Sequence, residues 1–133
     1  MSAWQIKAFY LPGGTCPIRD WYRAQDVPVQ AAFDATLTIL KAIVDWTDTK
    51  AFKVLRRNHA GLGEIRFKLE RPGQVRRFRP VGIWPPIDNG EFVLLLGCEK
   101  EQRGVLIPPD AFTLALDYRR RWERGEGEVH DYI

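Results

Sequence analysis

Arg66 and Lys68 stand two residues apart, and so do Arg77 and Arg79. Residues two apart share a face of an extended strand. Each pair therefore puts two cations on one side of a strand. If the two strands join as a hairpin through the Arg71-Pro72-Gly73 turn, the Arg66 and Arg77 faces sit side by side. Like charges that close on a sheet are destabilising unless an anion joins them. Phosphate is the natural anion, because the planar guanidinium can grip it with two parallel bonds. The competing reading is a solvated charged face, partly neutralised by Glu64. On pattern alone the solvated face is the simpler reading.

Other chemistries are disfavoured. No glycine loop runs into Lys-Ser/Thr, so there is no nucleotide cradle. The two histidines, His59 and His130, have no partner at metal-ligand spacing. No G-x-S-x-G elbow is present. Neither a metal nor a cofactor is expected. The two cysteines, Cys16 and Cys98, form no disulfide framework, and Cys98 ends an apolar run like a buried thiol.

The elements that must position the cations follow from periodicity. Residues 4–10 alternate as a strand, and Leu11-Pro12-Gly13-Gly14 breaks them. Residues 17–24 suit a short helix opened by Pro17. Asp26 is the expected N-cap of a second helix with Pro28 in its first turn. Over residues 29–46, Val29, Ala32, Phe33, Leu37, Leu40 and Val44 form one apolar stripe, widened by Ile39, Ile43 and Trp46. Residues 47–63 read as a polar, basic loop. Ile65, Phe67 and Leu69 alternate with Glu64, Arg66 and Lys68, a half-buried strand with a charged outer face. Residues 75–79 make the next strand, which Pro80 ends or places at an edge. Residues 84–90 form a hairpin loop, and residues 92–96 are apolar throughout, as in a central strand. Pro108-Pro109-Asp110 opens the last helix, with Ala111, Leu114, Ala115, Tyr118 and Trp122 as its stripe and Gly125 as its stop. The tail, residues 126–133, reads as a short fraying end.

The expected order is strand, helix, helix, strand, strand, strand, helix. That predicts an α+β fold, with an antiparallel sheet of about four strands and helices on one side. The 133 residues fit a single domain without linker or repeat. Net charge is +3 and pI near 9.0, so distribution matters more than amount. No apolar run approaches the roughly 18 residues that span a bilayer. Residues 1–11 contain no basic segment leading into an apolar one, and the cytoplasm is the expected compartment.

Four stretches carry a resemblance. Gly61-Leu62-Gly63-Glu64-Ile65-Arg66 resembles the "G-L-x-E-L-R" strand of the RelE superfamily of toxins. Gln74-Val75-Arg76-Arg77-Phe78 follows as that family's "Y-R" strand does. Residues 92–100 resemble its "L-L-H-G-F-x-K-K" strand and exit. Residues 108–118 resemble the "P-x-x-E-I-x-x-A" helix of the phage-derived, HigB-like branch. The likeness spans residues 61–118, and the first half matches only in element order. The chain departs from the pattern at Arg76, Cys98 and Glu101, where the family has tyrosine, an aromatic residue and lysine.

The resemblance implies a RelE-like domain with two N-terminal helices on its sheet. It implies a metal-independent mRNA endonuclease, working on or off the ribosome, and a cognate antitoxin, often with a helix-turn-helix. The RNA 2′-hydroxyl would attack the adjacent phosphate. Such chemistry needs a base, cations on the crowded phosphate and an acid. Carried over, Arg66 and Arg77 would hold the phosphate, and Lys100 would bind RNA. Lys53, Arg56 and Arg57 lie where relatives place basic contacts, and Lys68 and Arg79 extend the cationic faces. His59, His130 and Tyr132 are the candidate base and acid, and Trp84 could stack a base. A ParE-like gyrase inhibitor and a non-enzymatic phage-derived module that binds nucleic acid or protein are the alternatives. Neither involves a membrane.

Overall fold

The computed structural model describes residues 4–88 and 90–132. Among these, the chain forms β1 (Gln5–Tyr10), α1 (Pro17–Arg23), α2 (Val27–Ala42), β2 (Phe52–Val54), β3 (Leu62–Ile65), β4 (Phe67–Arg71), β5 (Gln74–Phe78), β6 (Val81–Ile83), β7 (Glu91–Leu96), β8 (Glu99–Lys100), β9 (Leu106–Ile107), α3 (Ala111–Glu123) and β10 (Glu128–Asp131). A six-stranded sheet runs β10-β1-β7-β6-β3-β2 and a four-stranded sheet runs β4-β5-β8-β9. The fold is α+β and mostly antiparallel, with β1 and β7 paired in parallel.

The two sheets are one ladder turned through a corner. β3 of the large sheet runs on into β4 of the small one, β5 of the small sheet runs on into β6 of the large one, and β7 runs on into β8. The breaks fall at Arg66, at Arg79-Pro80 and at Gly97-Cys98. Hydrogen bonds bridge the break, from Ile65 N–H to Pro80 O at 2.7 Å and from Arg79 N–H to Cys98 O at 2.8 Å. Three sequence features allow the turn. Pro80 has no N–H to give to a ladder. A register shift at Val81/Gly82 is a β-bulge, which bends a strand. Gly97 leaves room for the Trp21 ring of α1, which would lie 2.0 Å from a Cβ.

Helices cover both faces of the large sheet, not one side as expected. On β7, Phe92 and Leu94 join the core under α1 and α2, while Val93 and Leu95 join the core under α3. This is why the run over residues 92–96 is apolar at every position. α2 also reaches the small sheet, where Phe33 stacks on Phe67 and Phe67 on Phe78. α3 lies over β6 and β7. The outer face of the small sheet is left open.

Several local expectations hold for stated reasons. Asp26 caps α2 by accepting from Val29 N–H at 3.2 Å, and Pro28 sits in its first turn. Val29, Phe33, Leu37 and Leu40 are its buried stripe. Others need correction. α2 stops at Ala42, so Val44 is 90% exposed, and Ile39 also faces water. Trp46 turns back into the core and donates to Leu40 O at 2.8 Å. The basic loop contains β2. The strand over residues 64–69 is cut in two, and Glu64 is buried rather than outward. The tail does not fray: β10 pairs antiparallel with β1, and Lys7 and Asp131 make an ion pair across it.

Gly97→Ala forces a methyl into the Trp21 ring. The expected loss is about 3 kcal/mol, the upper end for overpacking a close-packed site. Urea unfolding measures it, and Gly73→Ala, at a turn with open space around it, isolates the simple cost of positive φ.

Candidate nucleic-acid interface

Strand register aligns the cations. In the small sheet Lys68 stands opposite Arg77, and Arg77 stands opposite Lys100. Partners on adjacent strands point to the same side, so these three form a row across β4, β5 and β8. Arg66 and Arg79 lie two residues along their strands and form a second row at the corner. The opposite side carries Phe67 and Phe78, which anchor the sheet on α2. Alternation thus gives one face to the core and one to charge.

Two adjoining hollows open on the charged face. The larger, of about 610 Å³, is lined by Arg66, Arg77, Arg79 and Lys100 together with the β8–β9 turn, residues 101–104. The smaller, of about 240 Å³, is lined by Lys50, Lys68 and the same three arginines. Arg66, Arg77 and Arg79 are the wall between them. The β8–β9 turn is closed by Glu101 N–H to Val105 O at 2.8 Å and Gly104 N–H to Glu101 O at 2.9 Å, and it carries Arg103 into the rim.

One carboxylate lies beneath this wall. Glu64 is 4% exposed, with its Oε2 3.0 Å from Arg79 Nε and 3.8 Å from Arg66 Nε. Neither contact is aligned as a hydrogen bond. Both Nε atoms and the Oε2 are buried without hydrogen-bond partners among the described residues. Burial pulls the Arg79 guanidinium below its ordinary pKa. Glu64 opposes that fall, and the neighbouring charges of Arg66 and Arg77 add to it. Arg79 also donates to Phe78 O at 2.9 Å. Burial pushes the Cys98 thiol up to about 12, so it stays protonated near neutrality, and it donates to Arg79 O at 3.0 Å. The site is a crowd of cations held by fewer anions than it could use.

Other acids are spent elsewhere or stand at the rim. Arg76, on the core side of β5, forms a two-pronged pair with Glu99 at 2.8 and 2.9 Å. Glu70 pairs with Lys68 at 2.7 Å, and this bond holds its carboxyl below the usual range. Glu101 is exposed at the mouth of the larger hollow.

The structure thus brings together Arg66, Arg77, Arg79, Lys68 and Lys100. Lys53, exposed on β2, stands opposite Glu64 and prolongs the basic face toward that edge. Arg56 and Arg57 are exposed beside a 3₁₀ turn at Arg57–His59, where Arg57 has φ 58°. They line neither hollow. His59 packs edge-on against Phe112 of α3, with ring centres 5.0 Å apart. His130, on β10, meets Glu128 at 2.7 Å and the edge of Tyr10. Tyr132 is a core residue against Phe33, with the Arg19 guanidinium over its ring, and burial pushes its phenol upward. None of these three lines either hollow, so a proton-transfer role at the arginines does not follow from their positions. Trp84 packs with Trp4, Trp46 and Phe52 rather than over the cations.

Sequence reasoning missed Lys50, the β8–β9 turn and the buried role of Glu64. The turn had a signal, a glycine three residues after Glu101, but Lys50 reaches the site only through the corner. Among the described residues no helix is long and apolar enough to cross a membrane. No family model, curated protein or solved structure matches the chain.

Glu64→Gln keeps the shape and removes the charge beneath the arginines. Breaking a fully buried ion pair from one side costs several kcal/mol; with water at the cleft, about 2 kcal/mol is expected. Glu64→Gln/Arg79→Met should recover part of the loss in a double-mutant cycle read by urea unfolding. Strictly additive losses would mean that the two residues do not share charge.

Proposed function

We propose that this chain binds RNA through its phosphates on the open face of the small sheet and cleaves the strand without a metal, as the toxin of a toxin–antitoxin pair. The observation that carries the reading is the convergence of Arg66, Arg77, Arg79 and Lys100 on one open hollow above a single buried carboxylate. Such a site lacks anionic charge, and a phosphate supplies it with geometry that suits guanidinium.

In the reaction the RNA 2′-oxygen attacks the adjacent phosphorus. The bond from phosphorus to the 5′-oxygen breaks, leaving a 2′,3′-cyclic phosphate, and the departing 5′-oxygen takes a proton from solvent in the open hollow to become the 5′-hydroxyl. Negative charge builds on the non-bridging oxygens, where preorganised cations act most strongly. Arg66, at the corner between β3 and β4, and Arg77, on β5, are the groups for that task. The proton from the 2′-hydroxyl needs an acceptor, and Glu101 is the carboxylate at the mouth of the hollow.

A second reading is binding without cleavage. It is favoured by the placement of His59 and His130, whose imidazoles lie outside both hollows. An antitoxin suited to either reading would present acidic groups to this face.

The test is incubation of the purified protein with end-labelled RNA, alone and with translating ribosomes, beside induced expression in bacteria. New 5′-hydroxyl ends and growth arrest are expected, with cleavage falling about 100-fold or more in Arg77→Ala protein. Salt-sensitive binding without new ends would select the second reading. Absence of both would reject the first and the second alike.

A further inference from the structure

The same three arginines line two hollows, and each hollow adds its own cations. Lys100 and Arg103 belong to the larger one, Lys50 and Lys68 to the smaller. Lys68 and Lys100 flank Arg77 on the two neighbouring strands. Adjacent strands are about 4.8 Å apart, so β4 and β8 lie roughly 10 Å apart across the arginine wall. Directly linked phosphates of a diphosphate are too close together to fill both sides. Consecutive phosphates of a nucleic-acid strand, separated by a sugar, are not.

We infer that the two hollows are seats for consecutive phosphates of one single strand, which crosses the sheet from the β8–β9 turn over the arginine wall to Lys50 and Lys68. This rests on the reading of the face as an RNA site and specifies how the strand lies. Three observations define the seats. The hollows are separate but share a wall. Each has cations of its own. No aromatic side chain lines the larger hollow, and Phe67, the aromatic residue of the smaller, is engaged in stacking with Phe33 and Phe78. Base stacking therefore has no platform here, and the strand is held by its backbone. Recognition of this kind tolerates sequence and depends steeply on salt.

The experiment uses oligodeoxyuridylates, which lack the 2′-hydroxyl and cannot be cut, with the full chain at low salt. A dinucleotide with one phosphate is compared with a trinucleotide with two. The trinucleotide should bind about tenfold more tightly, the gain expected for a second charge-assisted contact of roughly 1.4 kcal/mol. Lys50→Ala/Lys68→Ala should abolish that gain, bringing the ratio of trinucleotide to dinucleotide affinity to about one. For a longer oligomer, the same double variant empties one seat and should lower the salt slope by about 0.7, the value for one neutralised phosphate on a single strand. Both lysines are exposed, and circular dichroism checks that the fold is kept.

Equal affinity for dinucleotide and trinucleotide would overturn the two-seat inference. So would competition by inorganic pyrophosphate as strong as that of the trinucleotide, or binding of a duplex as tight as that of the strand. If no oligomer of any length binds, the RNA reading fails and takes this inference with it. If long oligomers bind but the Lys50/Lys68 variant is unchanged, only the arrangement of seats is wrong.

Discussion

A buried carboxylate beside two arginines governs the corner of this molecule. Taking Glu64 out of water is costly, and only nearby cations make it tolerable. Arg79 at 3.0 Å and Arg66 at 3.8 Å provide that compensation. The reverse holds as well. Without Glu64 the guanidiniums would repel one another at a corner where the backbone leaves them little freedom. One negative charge does not balance the arginines that meet there, and the remainder faces an open hollow. Stability of the corner and demand for an external anion are two sides of the same arrangement.

The corner itself is a consequence of backbone chemistry. Pro80 interrupts a ladder, the bulge at Val81/Gly82 bends it, and Gly97 allows α1 to press its Trp21 against the turn. The bend divides the small sheet from the large one. The inner face of the small sheet remains under α2, held by stacked Phe33, Phe67 and Phe78, while its outer face stays open. Shape and charge are therefore coupled through a few residues that line neither hollow.

Much of the cation geometry was legible in the sequence. Period-two alternation placed Arg66 with Lys68 and Arg77 with Arg79, and the Arg71-Pro72-Gly73 turn paired their strands. The long apolar stripes found the core. What alternation does not encode is a strand that bends. Residues 64–69 look like one uninterrupted strand because side-chain alternation survives the corner at Arg66. The same pattern put Glu64 outside, since a charged residue in phase with Arg66 reads as solvated until a neighbouring strand supplies Arg79. Short strands such as β2, β8, β9 and β10 have too few residues to show a period. The tail looked loose because its anchors, the β1 ladder and Lys7, lie more than a hundred residues away. His59, His130 and Tyr132 rest on residue type and on the resemblance, and spacing offers no test of their distance from the arginines.

On the proposed reading, RNA phosphate binds at the arginine wall. Arginine side-chain Nε–H signals, followed by NMR while an uncleavable RNA oligomer is added, test it most directly. The signals of Arg66, Arg77 and Arg79 are expected to shift together and saturate, while those of Arg56 and Arg57 stay near their free positions. Shifts centred on Arg56 and Arg57, with the Arg66, Arg77 and Arg79 signals unmoved at saturating RNA, would contradict it.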